Sequence, residues 1–139
     1  MARWCVDASA VLASVLSEHA TAAARAFWSD LTGFDEVVGP QLLLPECTSV
    51  LRQRVGSGEL TEAESADLLE DLLSLPIRIH ESRDQFRVAP TLAGRLKRPK
   101  AYDMQYLAVA QIERAELVTL DRGLRQAASD IHHPVRLLR

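Results

Sequence analysis

The sequence predicts one α/β domain, on three observations. Short apolar runs of strand length alternate with longer segments of helical period. Proline, glycine and capping residues punctuate those segments where helices should start and stop. Two of the apolar runs, 4–6 and 117–120, are followed at once by an aspartate and then by a helix.

Trp4, Cys5 and Val6 make the first strand, closed by Asp7. Residues 8–16, rich in Ala, Val and Leu, predict a helix, and 21–31 a second one carrying Phe27 and Trp28 near its end. Residues 36–39 predict a strand that Pro40 stops. Pro45 suits the first turn of the next helix, where its missing N–H has no partner to lose; Cys47, Val50, Leu51 and Val55 form that helix's apolar face. Gly56-Ser57-Gly58 ends it. Thr61 with Glu64 three residues on is a capping box, opening a helix with Leu68, Leu69, Leu72 and Leu73 as its stripe. Pro76 stops that helix, and 77–79 alternate as a strand. A weaker helical pattern covers 82–96 and ends before Pro99. The clearest helix is 102–115, with Met104, Leu107, Ala108 and Ile112 in register. Then come a strand at 117–120, a short helix at 124–128 and a last strand at 135–138.

With 139 residues and 47% hydrophobic content, the chain is long enough to bury one core, so 1–139 is expected to be a single domain. A net charge of −3 excludes the globally basic class of nucleic-acid binder, and any such contact must come from a local basic strip. Cys5 and Cys47 sit inside apolar runs without a C-x-x-C spacing and read as reduced, buried thiols. Asp7 interrupts the N-terminal apolar run too early for a signal peptide, and no segment approaches the roughly 20 apolar residues of a membrane span. The expected location is cytoplasmic.

The chemistry-bearing residues are acids. Asp7 and Asp121 each follow a strand and precede a helix; if the two strands are neighbours in a parallel sheet, both side chains face the crevice at the strand ends. Glu46 and Asp103 fall in the first turns of their helices, where a carboxylate also complements the helix dipole; taken singly, each reads first as such a dipole residue. Four converging carboxylates repel one another unless a cation sits among them. A hard divalent ion such as Mg²⁺ suits all-oxygen donors, and without a His or Cys cluster zinc is a poor candidate.

The ordered set Val6-Asp7-Ala8-Ser9-Ala10, Leu44-Pro45-Glu46, Ala101-Tyr102-Asp103 and Val118-Thr119-Leu120-Asp121-Arg122-Gly123-Leu124 resembles the motifs of PIN-domain ribonucleases, over essentially the whole chain. In length and final motif the chain looks most like the VapC-type toxins of bacterial toxin–antitoxin pairs. The resemblance implies a three-layer α/β/α sandwich with a five-stranded parallel sheet. It implies Mg²⁺ or Mn²⁺ at Asp7, Glu46, Asp103 and Asp121, with Ser9 and Thr119 as supporting hydroxyls. It also implies RNA cleavage, a homodimer, and inhibition by a small VapB-type antitoxin protein.

On that reading Asp7, Asp103 and Asp121 are the main ligands, and Glu46 completes the cluster or handles the attacking water. Ser9 reads first as a plain helix-start residue, and for Thr119 too the structural reading outweighs the supporting one. Arg87, Arg95, Lys97, Arg98 and Lys100 form a basic stretch leading into Asp103; Arg98, Lys100 and Arg122 are candidate contacts to the RNA backbone, and a solvated face is the plainer reading. His132-His133 reads as an exposed turn, His19 and His80 as isolated, and Phe27 and Trp28 as core. With 5% aromatics, an aromatic platform for bases is not the expected mode of recognition. A haloacid-dehalogenase-like phosphatase needs a second Asp where Ser9 stands, and a receiver domain needs an acidic pair and a late lysine that are not evident. A PIN-fold nuclease of RNA maturation, one directed at DNA, and a non-catalytic RNA- or protein-binding module stay open.

Overall fold

The computed structural model describes residues 1–16 and 21–138, and the side chain of Thr21 is left aside. His19 lies outside the described residues. Five strands, β1 (Arg3–Val6), β2 (Glu36–Gly39), β3 (Ile77–Ile79), β4 (Glu116–Thr119) and β5 (Val135–Leu137), form one sheet in the order β3-β2-β1-β4-β5. Every pairing is parallel. The helices α1 (Ala8–Val15), α2 (Thr21–Ser29), α3 (Leu43–Gly56) and α4 (Glu62–Leu73) pack among themselves; α5 (Asp84–Arg95), α6 (Met104–Ile112) and α7 (Arg122–Asp130) form a second group. The result is the expected three-layer α/β/α sandwich.

The strand order reverses at β1, whose neighbours are β2 on one side and β4 on the other. Val6 pairs with Val118, so the chain leaves β1 and β4 side by side at the same edge. In an open parallel sheet that is the crevice where ligands bind. The core beneath it is aliphatic: Val6, Val11, Val38, Leu43, Leu107, Leu117 and Val118 are all fully covered. Buried on both faces, the short central strands need no polar alternation.

Several elements differ from the sequence expectation in instructive ways. α3 starts at Leu43, so Pro45 sits inside the first turn, still where no N–H is required. α5 continues through Pro90, which has no N–H to give the Phe86 carbonyl, and α6 begins at Met104, which puts Asp103 at its N-cap. In α4, Leu72 is buried but Leu73 is half exposed, because the stripe is wider than the surface that covers it. The capping box of Thr61 and Glu64 forms with both bonds at 3.0 Å. Both cysteines are free and buried, and Phe27 is buried with Trp4 and Trp28 edge-on to its ring.

Where β1–β3 meet the end of α6, Glu113 accepts from Arg78 at 2.9 and 3.0 Å and lies 2.6 Å from His80 Nδ1. Arg78 and Arg3 also both pair with Glu36, at 2.6 and 2.8 Å. The Arg78 guanidinium, ahead of His80, holds the Glu113 carboxyl down at about 2, against the cost of its burial. No helix among the described residues is long and apolar enough to cross a membrane.

Candidate active site

Asp7 leaves β1 in extended backbone and caps α1, its Oδ1 accepting from the Ala10 N–H at 3.0 Å. Its carboxylate is 4% exposed. Ser9 donates to Oδ1 at 2.7 Å and Thr119 donates to Oδ2 at 2.6 Å. The same two hydroxyls tie down the neighbouring strand end. Ser9 Oγ accepts from the Leu120 N–H at 2.9 Å, and Thr119 Oγ1 accepts from the Asp121 N–H at 2.9 Å. Ser9 is thus more than a helix-start residue, since its hydroxyl joins β1 to the end of β4. Burial pushes the Asp7 carboxyl up to about 6, with Asp121 adding repulsion, while the bonds from Thr119, Ala10 and Ser9 pull the other way.

Asp121 stands at the parallel position after β4 and caps α7, accepting on Oδ1 from Gly123 and Leu124 at 2.7 and 3.1 Å. Gly123 makes this close wrap possible: a Cβ there would lie 3.1 Å from Asp121 Oδ1. Glu46, in the first turn of α3, accepts on Oε2 from the Tyr106 hydroxyl at 2.5 Å. Tyr106 is buried on α6 and feels the charges of both Glu46 and Asp7, which with burial keep its hydroxyl protonated. Cys47 beside Glu46 is pushed up to about 12 by burial, then by Glu46 and Asp7, so it presents a thiol rather than a thiolate ligand.

Asp103 makes no capping bond at the start of α6. Its Oδ2 pairs with Arg98 Nη1 at 3.0 Å, and Arg98 Nη2 donates to the Gly123 carbonyl at 3.1 Å. Arg98 therefore braces the start of α6 against the start of α7, with one donor of each terminal nitrogen spent on protein. Lys100 lies on the same loop, and Arg122 is the exposed first residue of α7.

The structure thus brings Asp7, Asp121, Ser9 and Thr119 together directly. Glu46 approaches Asp7 by way of Tyr106, and Asp103 reaches α7 by way of Arg98. Among the described residues, no three Asp, Glu, His or Cys side chains are drawn together so as to enclose an ion. One oxygen each of Asp121, Glu46 and Asp103 is held by protein, and Asp121 Oδ2, Glu46 Oε1 and Asp103 Oδ1 carry no partner among the described residues. Tyr106 escaped the sequence reading. The available signal was its place three residues after Asp103, a hydroxyl inside an apolar helical run. Larger surface cavities, of about 690 and 520 Å³, lie elsewhere and include none of the four acids; Asp103 lines one of about 200 Å³.

A five-stranded parallel sandwich with acids at its switch point defines a class, and the sequence falls in it: the chain belongs to the PIN domain family, whose model matches residues 4–130. It is similar in structure to VapC20 of Mycobacterium tuberculosis, described as a Sarcin-Ricin loop cleaving toxin, at 19% identity over 89% of this chain and 94% of that one, with a TM-score of 0.69. It is similar to VapBC2 of Rickettsia felis, solved bound to a DNA fragment from its promoter, at 13% identity over 99% of both chains and a TM-score of 0.72. VapBC-1 of nontypeable Haemophilus influenzae matches at 15% identity over 97% of both chains, with a TM-score of 0.67. These likenesses speak for the fold. No curated protein matches the sequence.

Proposed function

We propose that the chain, as a single PIN domain over 1–139, is a metal-dependent endoribonuclease. We further propose that it is the toxin of a VapBC-type toxin–antitoxin pair, active in the cytoplasm as a homodimer and neutralised by a small VapB-type antitoxin. The observation that carries the nuclease reading is Asp7. A carboxylate 4% exposed, held by two hydroxyls and one N–H and set beside a second aspartate, is expensive to keep unless a cation repays it. The donor set is all oxygen, which fits Mg²⁺ or Mn²⁺ and not a thiophilic ion.

Asp7, Asp121, Asp103 and Glu46 are the residues that would hold the ion. Bound there, it would supply Lewis-acid polarisation of the phosphoryl group and lower the pKa of a water. Ser9 and Thr119 fix the Asp7 plane, and the α7 amides fix Asp121, so neither acid must reorganise when substrate arrives. Tyr106 holds Glu46 by one oxygen and leaves the other to face the crevice as a ligand or toward the attacking water.

The test is cleavage of single-stranded and structured RNAs by the purified chain with Mn²⁺ or Mg²⁺, beside EDTA and Asp7→Asn controls. Metal-dependent cleavage absent from both controls is expected; cleavage no greater than that of Asp7→Asn refutes the nuclease reading. For the toxin reading, induced expression is expected to arrest growth, and co-expression of the small protein encoded by an adjacent frame to relieve it. Unimpaired growth counts against it.

A further inference from the structure

We propose that Tyr102 and Lys100 form a ledge beside the acids that takes one nucleotide of single-stranded RNA, the ring stacking on the base and the ammonium pairing with its phosphate. This rests on the nuclease reading and adds the residues that seat the substrate. The first observation is that Tyr102 is 55% exposed, immediately before Asp103, and its side chain has no ring or hydrogen-bond partner among the described residues. One exposed ring is ordinary by itself, and it is its place at the rim of an anionic crevice that makes this face available to a base.

The second is its surroundings. Arg98, Pro99, Lys100, Tyr102 and Asp103 line a cavity of about 200 Å³, walled by a flat ring, a proline, the Lys100 ammonium and the Arg98–Asp103 ion pair. Lys100 has no ion pair among the described residues, so its charge is available.

The third is rigidity. The loop is launched by a tight helix cap in which Arg98 N–H bonds Ala93 O at 2.8 Å and Lys97 N–H bonds Gly94 O at 3.2 Å. Lys97 accepts the left-handed backbone this demands, at φ 55°. Pro99 stiffens the next step, and the Arg98 bridge to Asp103 and Gly123 clamps the loop onto both helix starts. The ledge is therefore held at a set place relative to Asp103 and Asp121. Single-stranded RNA offers unstacked bases to such aromatic faces, and stacking tolerates any base. A duplex keeps its bases covered and gains nothing from the ring.

The experiment measures binding of a labelled single-stranded RNA octamer to the full chain carrying Asp7→Asn, in Mg²⁺ across a salt series, together with cleavage by the Asp7 form. Tyr102→Ala is expected to weaken binding about 5- to 150-fold, the range for losing one base stack, and to raise KM rather than lower kcat. Tyr102→Phe keeps the ring and is expected to restore tight binding. Lys100→Gln should reduce the dependence of log affinity on log salt by about 0.7, one phosphate contact on a single strand. Phe34→Ala, at a ring still more exposed than Tyr102 and before the opposite end of β2, serves as the control and should bind as the parent. RNA binding unchanged by Tyr102→Ala overturns the proposal and leaves the ring to a protein partner. A Tyr102→Phe as weak as Tyr102→Ala also overturns it, as does a parent chain that binds no RNA. Ring-dependent binding without metal-dependent cleavage leaves the ledge standing and fails the nuclease reading; cleavage indifferent to Tyr102 does the reverse.

Discussion

Replacing Asp7 by Asn should remove the activity and, without a divalent ion, make the protein more stable. In the fold this carboxyl sits at about 6, against 3.8 for an exposed one, mainly because burial disfavours its charge. Its pKa is raised on folding, so ionised Asp7 costs stability at pH above about 6, and the cost is relieved as pH falls toward 3.8. The cost is about 3 kcal/mol at pH 7.5 and roughly half that at pH 5. Asn keeps the shape and the acceptor for Ser9 and Ala10, but sets an N–H₂ against the Thr119 hydroxyl, which now donates to Asp7 Oδ2. Turning that hydroxyl loses about 1 kcal/mol. A net gain of about 1–2 kcal/mol is expected at pH 7.5 in EDTA, shrinking toward zero by pH 5. Urea unfolding of both forms at the two pH values measures it, and saturating Mn²⁺ should reverse the order by stabilising only the Asp7 form. An Asn form less stable than the parent at pH 7.5, or a difference that does not change with pH, refutes the claim that Asp7 is an expensive buried charge.

Three further outcomes follow from the same geometry. Tyr106→Phe removes the donor to Glu46 without changing packing, and should weaken Mn²⁺ binding or turnover about 10- to 100-fold, as read by calorimetry and cleavage; unchanged values would mean the bond only satisfies the tyrosine. Glu113, 11% exposed and lowered to about 2 chiefly by Arg78, stabilises the fold above its unfolded value of 4.5 and loses that contribution as pH falls toward 2. Glu113→Gln should therefore cost about 1–2 kcal/mol at pH 7 and little near pH 2 in denaturant titrations, the figure allowing for solvent screening at the sheet edge. Gly123→Ala should change melting stability by less than about 1 kcal/mol, since helix propensity rises while the cap tightens, yet should slow cleavage by displacing Asp121 from a 3.1 Å contact.

What the sequence determined by itself is what local physics specifies. The apolar runs place the strands because buried parallel strands need continuous hydrophobicity, and Pro76, Gly58 and the Thr61–Glu64 box mark ends because backbone donors there must be met within a few residues. Asp7 and Asp121 were legible because a strand end followed by a helix start is a local signature. Glu46 and Asp103 stood out only as members of an ordered motif set, since an acid near a helix start has a sufficient local reason to be there. Tertiary structure alone decided the rest. Pairing of β1 with β4 put Ser9 and Thr119, 110 residues apart, against the same carboxylate. Packing of α6 brought Tyr106 to Glu46, and the turn after α5 spent Arg98 on Asp103 and Gly123 while leaving Tyr102 bare. Hydroxyls, guanidinium groups and rings at those positions carry no periodic signal, because their partners are set by which elements meet across the sheet and not by neighbours along the chain.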